Sequence, residues 1–182
     1  MVAQPQTKIK MTAEDFFQLP ETTRIEELIN GELIVSPPAF VDHQFSSSST
    51  LEVLLRLIEG GKLFHAPTAV CLDDENTPKP DIFWLALASM QKISKKCIEG
   101  APDLIVEIFS PRTARRDRVT KYALYQKHGV REYWMIDPVN EYIEVYRLEN
   151  GAFVQQGIYE PGDTFESAVL GGKTVDVAAL FA

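Results

Sequence analysis

Residues 101–111 read APDLIVEIFSP, and this stretch decides the fold class. It contains an apolar run long enough for a strand that is buried on both faces of a sheet. A helix is predicted after it, ending near His128, where Gly129 suits the residue that follows a helix C-terminus. REYWMID at residues 131–137 then predicts a second strand. A strand, a helix and a strand in this order predict a right-handed crossover and a parallel strand pair.

The elements on either side extend this unit into a larger sheet. Asn30-Gly31 and Asn150-Gly151 each separate two apolar-rich runs and predict hairpins, because both turn residues must accept positive φ. Residues 42–58 carry apolar positions at helical spacing. KLFHAPTAVCL at residues 62–72 predicts one strand, and PDIFWLAL at residues 80–87 predicts the next.

The predicted architecture is therefore α/β. Its core is a helix, a three-stranded meander, a helix and a further strand, with an N-terminal hairpin and a C-terminal antiparallel extension. The chain has 182 residues, which suits one domain over residues 1–182, with residues 1–11 as a flexible tail.

Charge and composition limit the classes of function. The net charge is −8, which counts against a general nucleic-acid-binding surface because phosphates favour clustered Lys and Arg. The N-terminus has no apolar region typical of a secretory signal, and no apolar run approaches the roughly 18–20 residues of a membrane helix. We expect a soluble, cytoplasmic protein without a membrane partner. Cys71 and Cys97 match no metal-site spacing and are expected to be reduced thiols.

Glu107 is the most unusual residue of the chain, because it lies inside LIVEIF with apolar neighbours on both sides. Loss of hydration there is costly unless the carboxylate is neutralised, paired or bound to a metal. Asp103 lies four residues away on the same strand, about 13 Å, which is too far to share one ion. Asp81 begins the preceding strand and can converge with Glu107 if the two strands are neighbours. A buried ion pair for Glu107, and a turn or strand-start role for either aspartate, remain open.

Hydrolysis of a phosphodiester needs a water nucleophile and stabilisation of the charge on the phosphate, and metal ions supply both. A lysine near the metal can orient the water or help to deprotonate it. Lys121 lies in the helix that follows the Glu107 strand and can reach the same pocket if that helix packs back over the strand. An ordinary surface lysine is the alternative.

The motifs together resemble a known family. KPDIFWLA, APDLIVEIFSP and RDRVTKYALYQKHGVREYWMIDP, with GELIVSPPAFVDHQ near the N-terminus, are similar to the Uma family of putative restriction endonucleases over roughly residues 12–181. This family resembles the PD-(D/E)XK nuclease superfamily. The resemblance implies a restriction endonuclease-like fold and a magnesium site, with manganese as a possible substitute, held by Asp81, Glu107 and the backbone carbonyl of Ile108.

The resemblance also implies that Lys121 completes the catalytic set. In the superfamily the lysine stands two residues after the acidic residue, and here Phe109 fills that position. A lysine displaced to the next helix can place its amine at the same point in space. Further candidate site residues are Glu27 or Glu32 from the first hairpin, His43 and Tyr125; a helix-end histidine and a core tyrosine are the plainer alternatives.

The predicted function is a magnesium-dependent endonuclease that hydrolyses DNA. A locally basic helix supplies the candidate DNA-binding residues, which are Arg112, Arg115, Arg116 and Arg118. A homodimer is expected because cutting both strands favours two active sites. The alternative is a catalytically silent nuclease-fold protein that binds nucleic acid or protein. A carboxylate-dyad glycosidase would need an open cleft with aromatic platforms, whereas Trp84 and Trp134 are predicted to lie in the core.

Overall fold

The structure is a computed structural model that describes residues 10–110 and 115–182. Residues 1–9 of the predicted tail over residues 1–11, and Arg112, lie outside the described residues. In chain order the strands are β1 (Glu26–Ile29), β2 (Glu32–Val35), β3 (Lys62–His65), β4 (Val70–Cys71), β5 (Ile82–Leu85), β6 (Ile98–Glu99), β7 (Leu104–Ile108), β8 (Glu132–Asp137), β9 (Tyr142–Glu149), β10 (Ala152–Tyr159), β11 (Thr164–Ser167) and β12 (Lys173–Asp176).

Three α-helices accompany the strands: α1 (Ala13–Phe16), α2 (Val41–Leu57) and α3 (Tyr122–His128). A π-helical segment, Arg116–Lys121, runs directly into α3, and Gly129 ends α3 with φ of 83°. Short 3₁₀ turns span Leu87–Lys92 and Ala178–Leu180. No described helix combines the length and apolar character that a bilayer crossing requires.

The central sheet has six strands in the order β10-β9-β8-β7-β5-β3. β7 and β8 are parallel, and the other neighbouring pairs in this sheet are antiparallel. The predicted order of helix, meander, helix and strand is therefore confirmed, as are the N-terminal hairpin and the antiparallel extension. Asn30, Gly31, Asn150 and Gly151 all have positive φ, which is why these two turns were visible in the sequence.

The sheet is covered on both faces by separate apolar clusters. On one face α2, β11 and β12 pack against alternate strand residues, among them Val106, Trp84 and Trp134. On the other face α3, β1, β4 and β6 pack against the intervening residues, such as Ile105 and Met135. Both tryptophans are thus core residues, as predicted, and the alternation places Glu107 on the α3 face.

Two predictions about the segment after α2 are wrong. The strand expected over residues 62–72 is divided into β3, which joins the central sheet, and β4, which pairs with β6 outside it. Pro67 lies between them, and a proline cannot donate a ladder hydrogen bond. The cysteines are also not reduced: Cys71 and Cys97 form a disulfide, because the β4–β6 pairing brings their Cα atoms to 6.0 Å.

Asp103 has a structural role at the start of β7. Its carboxylate accepts the backbone N–H of Ala86 at 2.8 Å and the Arg131 guanidinium at 3.1 Å. Burial acts to raise the pKa of Asp103, but these bonds and one from Ser89 outweigh it and lower the pKa. This agrees with the argument that Asp103 is too far from Glu107 to share an ion with it.

Glu132 is a second buried structural carboxylate, at the start of β8, and is fully buried. It accepts hydrogen bonds from the indole of Trp134 at 2.8 Å, the hydroxyl of Ser167 at 2.6 Å and the backbone N–H of Ala168 at 2.9 Å. The last two partners follow or end β11, so Glu132 ties the β11–β12 hairpin to the central sheet.

Candidate active site

Asp81 and Glu107 are brought together by the antiparallel pairing of β5 and β7. Ile82 pairs with Val106, so Asp81 and Glu107 are the next residues outward and lie opposite each other. Alternation along both strands puts the two side chains on the same face. The backbone N–H of Ile108 donates to Asp81 Oδ2 at 2.8 Å and fixes the aspartate against β7.

Glu107 is held by two donors from the helix that follows its strand. Its Oε1 accepts Lys121 Nζ at 2.8 Å and the Tyr125 hydroxyl at 2.6 Å. Glu107 is 3% exposed. Burial raises the pKa of Glu107; Lys121 opposes the rise, and the charges of Asp117 and Asp81 add to it. Glu107 therefore occupies a poorly hydrated position beside the carboxylates of Asp81 and Asp117.

Lys121 joins carboxylates from three elements. Besides Glu107, its ammonium lies 2.9 Å from Glu27 Oε1 and 3.9 Å from Asp117 Oδ1. Burial acts to lower the pKa of Lys121, but the Glu107, Glu27 and Asp117 charges outweigh it and raise the pKa. The π-helical turn sets this position, since it buries Asp117 and Lys121 together against the sheet.

Glu27 is the carboxylate that the first hairpin contributes. Its Oε1 also accepts the backbone N–H of Lys79 at 2.9 Å, and its Oε2 lies 3.4 Å from the Arg116 guanidinium. Glu27 is 1% exposed. Glu32, the other candidate, is exposed on β2 and does not line the cavity described below. Glu27 thus holds Lys121 and Arg116 in place, whereas Glu32 lies apart.

His43 reaches the site from the first turn of α2. Its Nε2 lies 3.2 Å from Asp81 Oδ2. Burial acts to lower the pKa of His43, but the hydrogen bond and charge of Asp81, aided by Asp117, outweigh it and raise the pKa. Helix α2 is thus the third element, after β5 and β7, that fixes the Asp81 carboxylate, and it does so through the His43 ring.

A cavity of about 950 Å³ opens above these residues. Its floor contains Asp81, Glu107 and Lys121, and its walls come from the first hairpin, the loop before α2 and the first turns of α2. Tyr125 does not line it and is fully buried, so this tyrosine packs in the core while its hydroxyl holds Glu107. The predicted trio is therefore at the bottom of one concave space.

Two carboxylate oxygens are available toward this space. The bonds to Glu107 use Oε1 and those to Asp81 use Oδ2, so within residues 10–110 and 115–182 neither Glu107 Oε2 nor Asp81 Oδ1 accepts a hydrogen bond. No group of three His, Cys, Asp or Glu side chains poised for a metal occurs among the described residues. Two carboxylates fit magnesium, which keeps several waters and is usually held by one or two protein carboxylates with substrate phosphates.

Comparison with known proteins identifies the family. A family model described as Uma2, putative restriction endonuclease, matches residues 13–178. The chain belongs to this family. Among solved structures, this Uma2 chain is similar to the crystal structure of a putative nuclease belonging to DUF820 from Anabaena variabilis ATCC 29413. The TM-score is 0.78 at 22% identity, covering 94% of this chain and 97% of that one. No curated protein gives a match.

The resemblance predicted from the motifs is thereby confirmed, and this chain has the same fold as that solved structure. Family membership supports nuclease function.

Of the predicted DNA-binding arginines of this Uma2 chain, the structure describes Arg115, Arg116 and Arg118, and these three lie in different surroundings. Arg116 lines the cavity and also donates to Ser36 at 3.3 Å. Arg115 is exposed, and Arg118 lies 2.7 Å from Glu144 with its guanidinium 4.7 Å from the Phe109 ring. Arg116 is therefore the described arginine of this stretch that faces the site.

Asp117 lies at the site but is not among the candidate site residues predicted from the sequence. It is 1% exposed beside Lys121. Its position four residues before the lysine was a usable signal, because residues so spaced are neighbours on a helix.

Proposed function

We propose that this Uma2 family member is a magnesium-dependent endonuclease that hydrolyses DNA, with Asp81, Glu107 and Lys121 as its catalytic set. The observation that carries the proposal is that Asp81 and Glu107 lie on neighbouring strands, both line the cavity, and each keeps one oxygen without a hydrogen bond among the described residues. The Lys121 ammonium lies beside them at 2.8 Å from Glu107. A negative pocket with a fixed cation suits phosphodiester hydrolysis.

Asp81 Oδ1 and Glu107 Oε2 would hold the magnesium ion, and manganese would fit the same oxygens. The N–H and C=O of one extended residue point to the same side of a strand, so we expect the Ile108 carbonyl beside Asp81, where its N–H already points. When bound, the ion supplies charge neutralisation at the phosphate and a lowered pKa for a coordinated water.

The chain's own residues do the remaining work. Lys121, anchored by Glu107 and Glu27, can donate a hydrogen bond to a phosphate oxygen or orient the attacking water. His43 and the Ile108 amide hold Asp81 in one orientation. Hydrolysis joins the water oxygen to phosphorus as one ester P–O bond breaks, leaving a phosphomonoester end and a hydroxyl end.

The test is cleavage of plasmid and oligonucleotide DNA with magnesium or manganese, against EDTA. Glu107→Gln and Asp81→Asn should each lower the rate at least about 100-fold, since each removes a proposed metal ligand. Asp42→Asn is the matched control, because Asp42 is exposed next to His43 and does not line the cavity. Equal activity in Glu107→Gln and wild type would identify a contaminating nuclease and defeat the proposal.

A catalytically silent binding protein is the second candidate. The observation that favours it is the lack, in the described part of the chain, of three convergent metal-binding side chains. Calorimetry separates the two: magnesium or manganese binding that Asp81→Asn abolishes supports the enzyme, and no binding by folded wild type supports the silent protein. The homodimer remains a prediction, which sedimentation in the presence of DNA would test.

A further inference from the structure

The depth of the site limits what can reach it. Glu107 and Lys121 are 3% and 2% exposed at the floor of the cavity. The volume of about 950 Å³ lies at the upper end of the roughly 300–1,000 Å³ range of pockets that enclose one small molecule. Such a space accepts a few nucleotide units. A continuous duplex is a wide rod, so a phosphate reaches the buried Glu107 and Lys121 at the cavity floor more readily from a short single strand than from a duplex.

The wall beside α2 offers a surface for a base. Phe40, the residue just before α2, lines the cavity and is 54% exposed. Pro37 and Pro38 lie next to it in the same wall. An exposed aromatic ring in a nucleic-acid cavity can stack on a base, but only on a base that is not already stacked and paired in a duplex.

The charge around the cavity is modest. Among residues 10–110 and 115–182, the lysine and arginine residues of its wall are Arg24, Lys79 and Arg116, with Lys121 on the floor. The chain as a whole carries a net charge of −8. A duplex-binding protein commonly neutralises six to ten phosphates, at roughly one cation each. A short single strand needs far fewer.

From these three observations we propose that the cavity takes single-stranded nucleic acid, either a free strand or an unpaired end, with a base stacked on Phe40 and the scissile phosphate at Asp81, Glu107 and Lys121. The placement of the phosphate rests on the proposed nuclease function. The stacking on Phe40 is a matter of binding and can be measured without cleavage.

The first experiment is therefore binding, by fluorescence anisotropy of labelled oligonucleotides in EDTA. Single-stranded DNA and RNA of one sequence are compared with the blunt DNA duplex and with the duplex carrying an unpaired end. The single strands and the unpaired end should bind at least about tenfold more tightly than the blunt duplex.

Two aromatic variants make the comparison specific. Phe40→Ala should weaken single-strand binding roughly 5- to 150-fold, the range for loss of one base–aromatic stack. Phe45→Ala should change it by less than about twofold, because Phe45 is 64% exposed on the same helix but lies outside the cavity lining. Phe40 makes no side-chain cap bond, so its loss should leave the folding of α2 intact.

Equal or tighter binding of the blunt duplex, no binding of single strands, or equal effects of Phe40→Ala and Phe45→Ala would each overturn the inference. Cleavage of the same oligonucleotides with manganese then separates the two claims. Cleavage of duplex and single strand at equal rates leaves the nuclease proposal standing and removes this one. Single-strand binding without cleavage of any substrate leaves the binding claim and removes the nuclease proposal.

Discussion

Lys121→Met would remove the ammonium that joins Glu107 to Glu27 beneath the cavity. Both carboxylates are buried and lie 2.8 and 2.9 Å from the Lys121 Nζ atom. Methionine has a similar length and volume, so the change leaves little empty space. The variant instead keeps two buried carboxylates, Glu27 and Glu107, close together and without the lysine that paired with both.

The cost can be worked from those two bonds. A hydrogen bond to a charged group contributes about 1.5–3 kcal/mol, and removing one partner of a buried ion pair costs about 3–5 kcal/mol. We expect Lys121→Met to lower the free energy of unfolding by about 3–5 kcal/mol. For a chain of this size that corresponds to a fall in Tm of roughly 6–20 °C. Urea unfolding near pH 7 in EDTA, followed by tryptophan fluorescence, measures it without any metal contribution.

The matched control is Lys127→Met on the same helix. The Lys127 side chain is 69% exposed and lies 3.4 Å from Asp73, so its loss should cost less than about 1 kcal/mol. Combining Lys121→Met with Glu107→Gln should restore part of the loss, because one carboxylate then no longer needs a cation. A cost below about 1 kcal/mol for Lys121→Met would refute the view that this buried network is held by the lysine.

Three further predictions concern stability away from the site. Asp103→Asn should lower the free energy of unfolding by about 1–3 kcal/mol near pH 7, because it weakens the bonds that hold the pKa of Asp103 below its usual value. That stabilisation is present above about pH 4, the ordinary pKa of an aspartate, and is lost as the pH falls through the lowered folded pKa, so the difference between the wild-type and variant urea curves should shrink steadily in acid. Glu132→Ala should cost about 3–5 kcal/mol in thermal unfolding, because three buried donors lose their acceptor. Reduction of the Cys71–Cys97 bond, which links residues 26 apart in sequence, should cost roughly 3 kcal/mol in urea unfolding with and without dithiothreitol.

Each of these has its own control. If burial of the Asp103 side chain alone set its contribution to stability, the difference in the free energy of unfolding between wild type and Asp103→Asn would not shrink in acid. Glu149→Ala, at the exposed end of β9, should cost less than about 0.5 kcal/mol, and an equal loss from Glu132→Ala would contradict the anchoring role. The double variant Cys71→Ala/Cys97→Ala should not respond to dithiothreitol; a response equal to that of wild type would mean that reductant acts elsewhere.

The elements that could be predicted from the sequence are those whose signals are local. The turns at Asn30-Gly31 and Asn150-Gly151 need positive φ, and few residues accept it. The parallel pairing of β7 with β8 follows from the intervening helix, since a crossover connection of this kind has one preferred hand.

The elements that were missed depend on partners distant in the sequence. Residues 62–72 form two strands because the first part of the segment pairs with β5 and a later part pairs with β6. The disulfide follows from the same pairing, and nothing in the spacing of the two cysteines indicates it. The role of Glu132 could not be predicted from the sequence, because its donors Ser167 and Ala168 lie about 35 residues later in the chain.

The sequence by itself determined that a carboxylate must lie in an apolar strand at Glu107, because an ionisable group inside LIVEIF has few physical explanations. It also favoured Asp81 over Asp103 as the partner, by distance along the strand. Only the tertiary structure decided that β5 lies beside β7, that the π-helical turn carries Lys121 back over Glu107, and that Glu27 rather than Glu32 holds the lysine. The physical reason is that the apolar neighbours that predict burial of a charge are adjacent in the chain, whereas the convergence of several charges depends on how separate elements pack.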